Sequence, residues 1–177
     1  NETAFVIPLE GDMSKQVSFD SAEQLNQRKV ASKRIQIPHR WNKTGRLWMN
    51  GNWIPTVKVI KVSRTPVTRE WVAEAGKGTA NKDQAIWIES ADSVGFSTGF
   101  SCTGLVFEKD TALFLYSYQG QSLPEVMDTE VRARIQARAA EFAGKYNMDL
   151  LRDKKNEMIA SIREDVIPYY ESRGISL

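Results

Sequence analysis

This sequence has few of the residues on which most catalytic and metal sites are built. Among its 177 residues there is one cysteine, Cys102, and one histidine, His39. A disulfide within the chain is therefore excluded, as is a zinc site with several Cys or His ligands. A Cys–His dyad would have to use these two residues, and no motif around either supports one. We therefore predict a protein that is not an enzyme and has no catalytic residue, no metal site and no cofactor.

The sequence also lacks a long hydrophobic run. A membrane-spanning helix needs roughly 18 or more consecutive apolar residues. The longest apolar runs here, Ala4–Ile7 and Ala112–Leu115, have the length of a strand or a turn. The 177 residues are enough for one domain with a sizeable core.

Acidic residues are missing from a long stretch in the N-terminal half. Between Glu23 and Glu70 the chain carries eleven of its 24 Lys and Arg residues and none of its 22 Asp and Glu residues. The remainder therefore has 13 bases against 22 acids, although the whole chain has a net charge of only +2. Three of the five tryptophans also lie in this stretch, which makes it both basic and aromatic.

Three interpretations of this stretch are open. Indole rings prefer membrane–water interfaces, and each Lys or Arg near an anionic leaflet contributes about 1 kcal/mol, so the stretch is predicted to face lipid. In the second interpretation the tryptophans belong to the core and the bases form a solvated face. In the third the stretch binds nucleic acid or an acidic partner protein. The lipid-facing candidates are Lys33, Arg34, Arg40, Trp41, Lys43, Arg46, Trp48 and Trp53.

Strand patterns come first along the chain. They are predicted at 4–7, 34–38, 56–62, 67–72, 85–90 and 94–102, the last from its alternation of apolar with small or polar residues. Asn50-Gly51, between Trp48 and Trp53, has the sequence of a two-residue hairpin turn.

Helix patterns follow. Ser122-Leu123-Pro124-Glu125 has the spacing of a capping box, and two apolar stripes follow at three- and four-residue steps. The first stripe runs from Val126 to Tyr146 and the second from Leu150 to Val166. Pro168 predicts a kink or a stop near Ile167. Gly174 suits a left-handed helix end, and Ile175-Ser176-Leu177 resembles the first step of a strand.

Strands followed by helices predict an α+β fold: an antiparallel β-sheet lobe followed by amphipathic helices. We expect a single domain over residues 1–177, mainly β with a basic N-terminal part over 1–104 and mainly helical over 105–177.

The C-terminal half resembles the SPFH or band 7 superfamily, which includes stomatin, prohibitin, flotillin and the bacterial HflK/HflC proteins. The resemblance is one of arrangement and covers Lys82 to Leu177. It rests on a strand end followed by a helix, on a capped helix, and on a long helix that ends in a Gly-Ile. The matching segments are Leu105–Asp110 with Phe114-Leu115-Tyr116, Leu123–Arg132, and Arg152 with Ser172-Arg173-Gly174-Ile175. Phe107, Glu108 and Pro168 depart from the family pattern.

The resemblance implies a non-enzymatic, membrane-associated scaffold. Such proteins self-assemble into homo-oligomers that organise membrane patches, and some enclose a membrane protease or another membrane protein. They carry a membrane anchor before this domain and a helical segment after it, so we expect this chain, which begins with Asn, to be excised from a longer protein. We predict that the helices contact neighbouring copies through Glu130, Arg132, Arg134, Arg138 and Glu141; a plain solvated face is the alternative.

Overall fold

The computed structural model describes residues 2–9, 22–30, 34–74 and 76–177. In this part of the chain the strands precede almost all of the helices. The strands are β1 (Glu2–Pro8), β2 (Lys29–Val30), β3 (His39–Lys43), β4 (Gly51–Pro55), β5 (Val57–Ser63), β6 (Val67–Trp71), β7 (Ile86–Glu89), β8 (Gly95–Thr98) and β9 (Phe100–Gly104). A short helix, α1 (Ala22–Gln27), precedes β2.

Helices make up most of the remainder. A 3₁₀ turn, Glu108–Asp110, leads into α2 (Thr111–Tyr118). A continuous helical stretch follows: α3 (Leu123–Val126), a π turn (Met127–Val131) and α4 (Arg132–Ala143). Two more helices, α5 (Met148–Asp153) and α6 (Lys155–Glu171), complete the order. Small antiparallel sheets followed by packed helices make this an α+β fold, as predicted.

Four small sheets carry all of the pairing among the named strands. One has the order β2-β1-β5, and the others are the pairs β3-β4, β6-β9 and β7-β8, all antiparallel. Two predictions from the sequence are wrong here. Residues 34–38 belong to no strand, since pairing begins at His39. The predicted strand 94–102 is two strands that separate at Gly99 and pair with β7 and β6 respectively.

The core joins the strands to the helices. Trp71, Ile86 and Ile88 come from the strands, and Val126, Met127 and Val131 come from the helical stretch; each is almost wholly buried. The first predicted stripe is confirmed through Ile135 and Ala139, while Phe142 and Tyr146 pack against the core with partial exposure. In the second stripe Leu151, Met158, Ile162 and Val166 are buried, but Leu150 is exposed.

The predicted caps are confirmed. The Ser122 amide donates to Glu125 Oε2 at 2.9 Å, and Pro124 occupies the first turn of α3, where its missing amide loses no hydrogen bond. α6 continues through Pro168 to Glu171, so the helix does not stop at Ile167. Gly174 has a φ of +87° and Leu105 pairs with Ser176 through two backbone hydrogen bonds of 2.9 Å, so the chain does enter an antiparallel pair.

Candidate functional site

The feature that stands apart from the core is the hairpin formed by β3, β4 and the loop between them, residues 39–55. Within the described residues, β3 and β4 pair with each other and with no third strand. The base of the hairpin is held by the Thr56 amide, which donates to the Pro38 carbonyl at 2.9 Å, and by the Leu9 amide, which donates to the Thr56 carbonyl at 2.8 Å. None of residues 34–61 is buried. The hairpin is therefore anchored at its base and surrounded by solvent.

The connecting loop is longer than the sequence predicted. The last pair of the ladder is Lys43 with Gly51, so the loop covers residues 44–50 and Gly51 already belongs to β4. The Thr44 amide donates to the Asn50 carbonyl at 2.9 Å, and the Asn50 amide donates to the Leu47 carbonyl at 3.1 Å. The predicted two-residue turn at Asn50-Gly51 is wrong.

Two tryptophans form a cross-strand pair on one face of the hairpin. Trp41 and Trp53 are directly opposite, with ring centroids 5.4 Å apart and an interplanar angle of 64°. This edge-to-face contact is one that aromatic pairs prefer. Gly51 makes room for it, because a Cβ there would lie 2.7 Å from the Trp41 ring. The Trp41 indole N–H also donates to the Trp48 carbonyl at 3.3 Å, which ties the pair to the loop.

The loop presents three consecutive apolar side chains to solvent. Leu47 is 67% exposed, Trp48 78% and Met49 83%, and Trp53 on β4 is 65% exposed. These are the four most exposed large apolar side chains among the described residues. We call Leu47, Trp48 and Met49 the apolar tip. The interpretation that placed the tryptophans in the core is wrong for Trp48 and Trp53.

Three basic side chains lie on the same hairpin as this apolar surface. Arg40, Lys43 and Arg46 are exposed on the hairpin, which contains no acidic residue. Other bases of the acid-free stretch lie against acids from elsewhere in the chain: Lys61 pairs with Glu2 at 3.4 Å, Arg64 with Glu108 at 3.2 Å and Arg69 with Asp128 at 3.0 Å. The hairpin thus carries three of the eleven bases of the stretch and no acid of its own.

The structure therefore brings most of the lipid-facing candidates together. Six of them lie on the hairpin: Arg40, Trp41, Lys43, Arg46, Trp48 and Trp53. Arg34 is exposed in the segment that leads into it, and Lys33 lies outside the described residues. Sequence reasoning did not single out Leu47 and Met49, although their position beside Trp48 in an acid-free segment was a usable signal.

The self-association candidates are largely engaged within the chain. Arg134 makes a bidentate contact with Asp165 of α6, at 2.9 and 3.2 Å, and Arg138 Nη2 donates to the same carboxylate at 2.7 Å. Arg132 donates to the Gln84 carbonyl at 3.0 Å, and Glu141 accepts from Arg138 and Lys145. Glu130 contributes to raising the pKa of Tyr118 to about 12, mainly an effect of burial. Arg134 and Arg138 thus connect α4 to α6, and Arg132 connects α4 to the loop before β7, whereas Glu141 pairs locally.

The residues considered for catalysis and metal binding are not brought together. Cys102 lies on β9 and His39 on β3, in different sheets, and burial raises the pKa of the Cys102 thiol, which disfavours the reactive thiolate. Across residues 2–9, 22–30, 34–74 and 76–177 no cluster of three or more His, Cys, Asp or Glu side chains is placed to hold a metal ion.

In the same ranges no helix is long and apolar enough to cross a bilayer. Neither the known protein-family models nor the curated proteins include a match to this sequence.

Proposed function

We propose that this chain is a non-enzymatic, membrane-associated scaffold domain of the SPFH type, which self-assembles and organises membrane patches or membrane protein complexes. The observation that carries the proposal is the hairpin at residues 39–55. It places three exposed bases, a tryptophan pair and an apolar tip on one projection that contributes nothing to the core.

The chemistry of the hairpin suits the surface of an anionic membrane. Indole rings lie preferentially at the level of the headgroups, and exposed Lys and Arg side chains are drawn to anionic lipids. Each base contributes about 1 kcal/mol to the attraction to an anionic leaflet, so the three bases on the hairpin would together contribute about 3 kcal/mol. That attraction determines which face of the domain lies against lipid.

The SPFH part of the proposal is supported by the order of the elements. β9 and the pairing residue Leu105 lead into a 3₁₀ turn and α2, the capped α3 opens the long helical stretch, and α6 ends at Gly174-Ile175. These are the segments that carry the resemblance. Ile175 is wholly buried, and Ser176 returns to pair with Leu105, so the end of the helical part is joined to the end of the strand part.

We place self-association on the outward sides of α4 and α6. Arg138 and Glu141 remain partly exposed although they pair with each other. Arg138 also connects α4 to α6 through Asp165, whereas Glu141 pairs with Arg138 on α4 and with Lys145 just after it. A neighbouring copy would have to contact these charges from outside. A membrane protease or another membrane protein is a further partner that the resemblance implies.

Vesicle co-sedimentation tests the proposal. Phosphatidylcholine vesicles with and without about 30% phosphatidylserine are compared at low and high salt, since an anionic lipid surface attracts bases and salt screens them. We expect clearly tighter binding to the anionic vesicles than to the neutral ones at low salt, and the charge reversals Arg40→Glu, Lys43→Glu and Arg46→Glu should reduce this difference. A control with the same change in net charge, Lys77→Glu, Lys82→Glu and Lys109→Glu, is expected to keep most of the binding.

Absence of binding to either vesicle at any salt concentration would remove the lipid role from the hairpin. A binding module for nucleic acid is the competing function, because exposed Trp48 and Trp53 beside bases also suit stacking on nucleotide bases. It predicts binding to a single-stranded oligonucleotide at least as tight as to the anionic vesicles, with loss in the same charge-reversal variant.

A further inference from the structure

The geometry points to insertion: we propose that the apolar tip, Leu47, Trp48 and Met49, penetrates below the headgroups of an anionic bilayer while Lys43 and Arg46 stay at the level of the phosphates. This inference rests on the proposed function and deepens it. The proposed function requires only that the hairpin contact the membrane surface. Insertion adds an apolar contribution to the free energy of membrane binding, which salt does not screen.

The exposure of the tip is the first argument. Three consecutive residues of a well-hydrated surface are apolar, and each has most of its side chain in water. Single exposed apolar residues are ordinary, but a contiguous exposed group with a polar rim marks a surface that another apolar phase covers. Asn50 and Thr44 on either side of the tip are exposed and polar, and they provide that rim.

The tip is also held in shape before it meets a ligand. The loop backbone is closed by the hydrogen bonds between Thr44 and Asn50 and between Asn50 and Leu47. The Trp41 indole N–H donates a hydrogen bond to the Trp48 carbonyl, while the Trp48 ring remains exposed to solvent. A preorganised loop loses little conformational entropy on binding. The hydrogen bonds that the Leu47 and Trp48 carbonyls accept lower the cost of bringing these two groups into an apolar layer.

The charges are placed where an inserted tip needs them. Arg46 immediately precedes Leu47, and Lys43 ends β3 at the start of the loop. Long basic side chains reach towards phosphates while their aliphatic stems lie along apolar surface. The Trp41–Trp53 pair lies two residues behind the Lys43–Gly51 pair, about 7 Å along the strands. Along the hairpin backbone from the loop towards the base, the order is thus an apolar tip, two bases and an aromatic pair, and the Trp41 ring reaches over Gly51 to the Trp48 carbonyl.

This order favours lipid over nucleic acid as the occupant. Single-stranded nucleic acid is bound by planar rings on which bases stack. Leu47 and Met49 offer no planar face, yet they are as exposed as the tryptophan between them. Aliphatic side chains beside an indole, followed by bases, match the composition that interfacial membrane elements use.

The test separates the contribution of the apolar tip to vesicle binding from the contribution of the basic residues. The tip variant carries Leu47→Ser, Trp48→Ser and Met49→Ser and keeps every charge. Its matched control carries Trp87→Ser, Phe107→Ser and Leu150→Ser, three exposed apolar residues on other elements. Both are compared with the wild-type chain by co-sedimentation with phosphatidylcholine–phosphatidylserine vesicles at about 0.1 M and about 1 M salt, where the Debye length falls from about 10 Å to about 3 Å. A second readout uses vesicles whose acyl chains are brominated, which quench tryptophan emission on contact.

We expect part of the wild-type binding to survive at high salt. Under these conditions the tip variant should bind the vesicles about tenfold more weakly or worse, and the control should bind them as wild type does. The acyl-chain bromines should quench wild-type emission and should quench a Trp48→Phe variant less. If the tip variant binds like wild type at both salt concentrations and bromines quench neither protein, insertion is wrong and the surface-contact function stands. If wild type binds no vesicle, both proposals fail.

Discussion

Gly174, at the end of α6, shows how a single residue allows two helices of this fold to pack together. Its φ of +87° lies in the left-handed region, and a Cβ would stand 2.7 Å from the Asp110 carbonyl oxygen and 2.8 Å from the Phe114 amide nitrogen. The glycine thus lets the helix end pack directly on the start of α2. Both the backbone conformation and the available space require it.

The substitution Gly174→Ala is expected to destabilise the protein strongly. The left-handed conformation alone costs roughly 1–2 kcal/mol for a residue with a side chain, and the two backbone contacts add to this. Gly76→Ala is the control, because Gly76 has a φ of +86° with nothing within 4 Å of the added Cβ. Urea denaturation should show a clearly larger loss of unfolding free energy for Gly174→Ala. Equal losses would mean that the contacts with Asp110 and Phe114 are unimportant.

Asp165 on α6 is a second residue that connects two helices, since its carboxylate accepts hydrogen bonds from both Arg134 and Arg138 on α4. Hydrogen bonds from Arg138 and then from Arg134 hold the pKa of the Asp165 carboxyl well below its usual range. A depressed pKa in the folded state means that ionised Asp165 contributes stability above its unfolded-state pKa of about 3.9. That contribution is lost as the pH falls towards the folded-state pKa.

We therefore expect Asp165→Asn to lower the free energy of unfolding at neutral pH, and the difference from wild type to narrow as the pH is taken from about 5 to about 2.5. Urea denaturation at several pH values measures this. Glu164→Gln, at the exposed neighbouring position, is the control and should show little effect. A difference that stays constant with pH would contradict the assignment of the ion pairs to α4–α6 packing.

Among the elements, the caps and the helical stripes were predictable because their causes are local. The box at Ser122–Glu125 and the steps from Val126 to Ala139 depend on neighbours one to four residues away. Leu150 broke the pattern because α5 is a short helix whose buried position is taken by Leu151. The alternation over 94–102 was genuine, yet Gly99 divides it, since the two halves pair with different strands.

The hairpin shows what sequence patterns could not give. Asn50-Gly51 is a frequent turn pair, but here Gly51 is needed in β4, where the Trp41 ring covers it. That requirement comes from a residue ten positions away on the opposite strand. The exposure of the apolar tip was not predicted for a related reason. Whether a side chain is exposed depends on which residues pack against it in the folded structure, and a local sequence pattern does not contain this information. Composition did locate the segment, through its lack of acids and its tryptophans.

Because the hairpin stands outside the core, shortening it should leave the fold intact. We expect replacement of residues 44–50 by Asn-Gly, a turn pair suited to two-residue hairpins, to change the free energy of unfolding by about 0.5 kcal/mol or less, as for surface changes generally. Urea denaturation and circular dichroism check this. Replacing Trp71, which is wholly buried, by Ala should by comparison cost about 3–5 kcal/mol. A large loss on shortening the loop would show that the hairpin supports the core.

At the scale of the whole molecule, charge is distributed unevenly in space as well as in sequence. Bases on β5 and β6 and near them meet Glu2, Glu108 and Asp128, whereas the hairpin has bases and no acids. The hairpin has three bases and no acid, and the rest of the chain has 21 bases and 22 acids, so the net charge of +2 combines a positively charged hairpin with a nearly neutral remainder. Under the proposed function, this arrangement directs the hairpin towards an anionic surface.

The central claim is that this projection is the membrane-contacting part of the domain. The most direct measurement compares the wild-type chain with the shortened-loop variant in co-sedimentation with phosphatidylcholine–phosphatidylserine vesicles. The account predicts that the wild-type chain binds the anionic vesicles and that the variant, still folded, binds them at least about tenfold more weakly. Equal binding by the two proteins, or no binding by the wild-type chain, would contradict it.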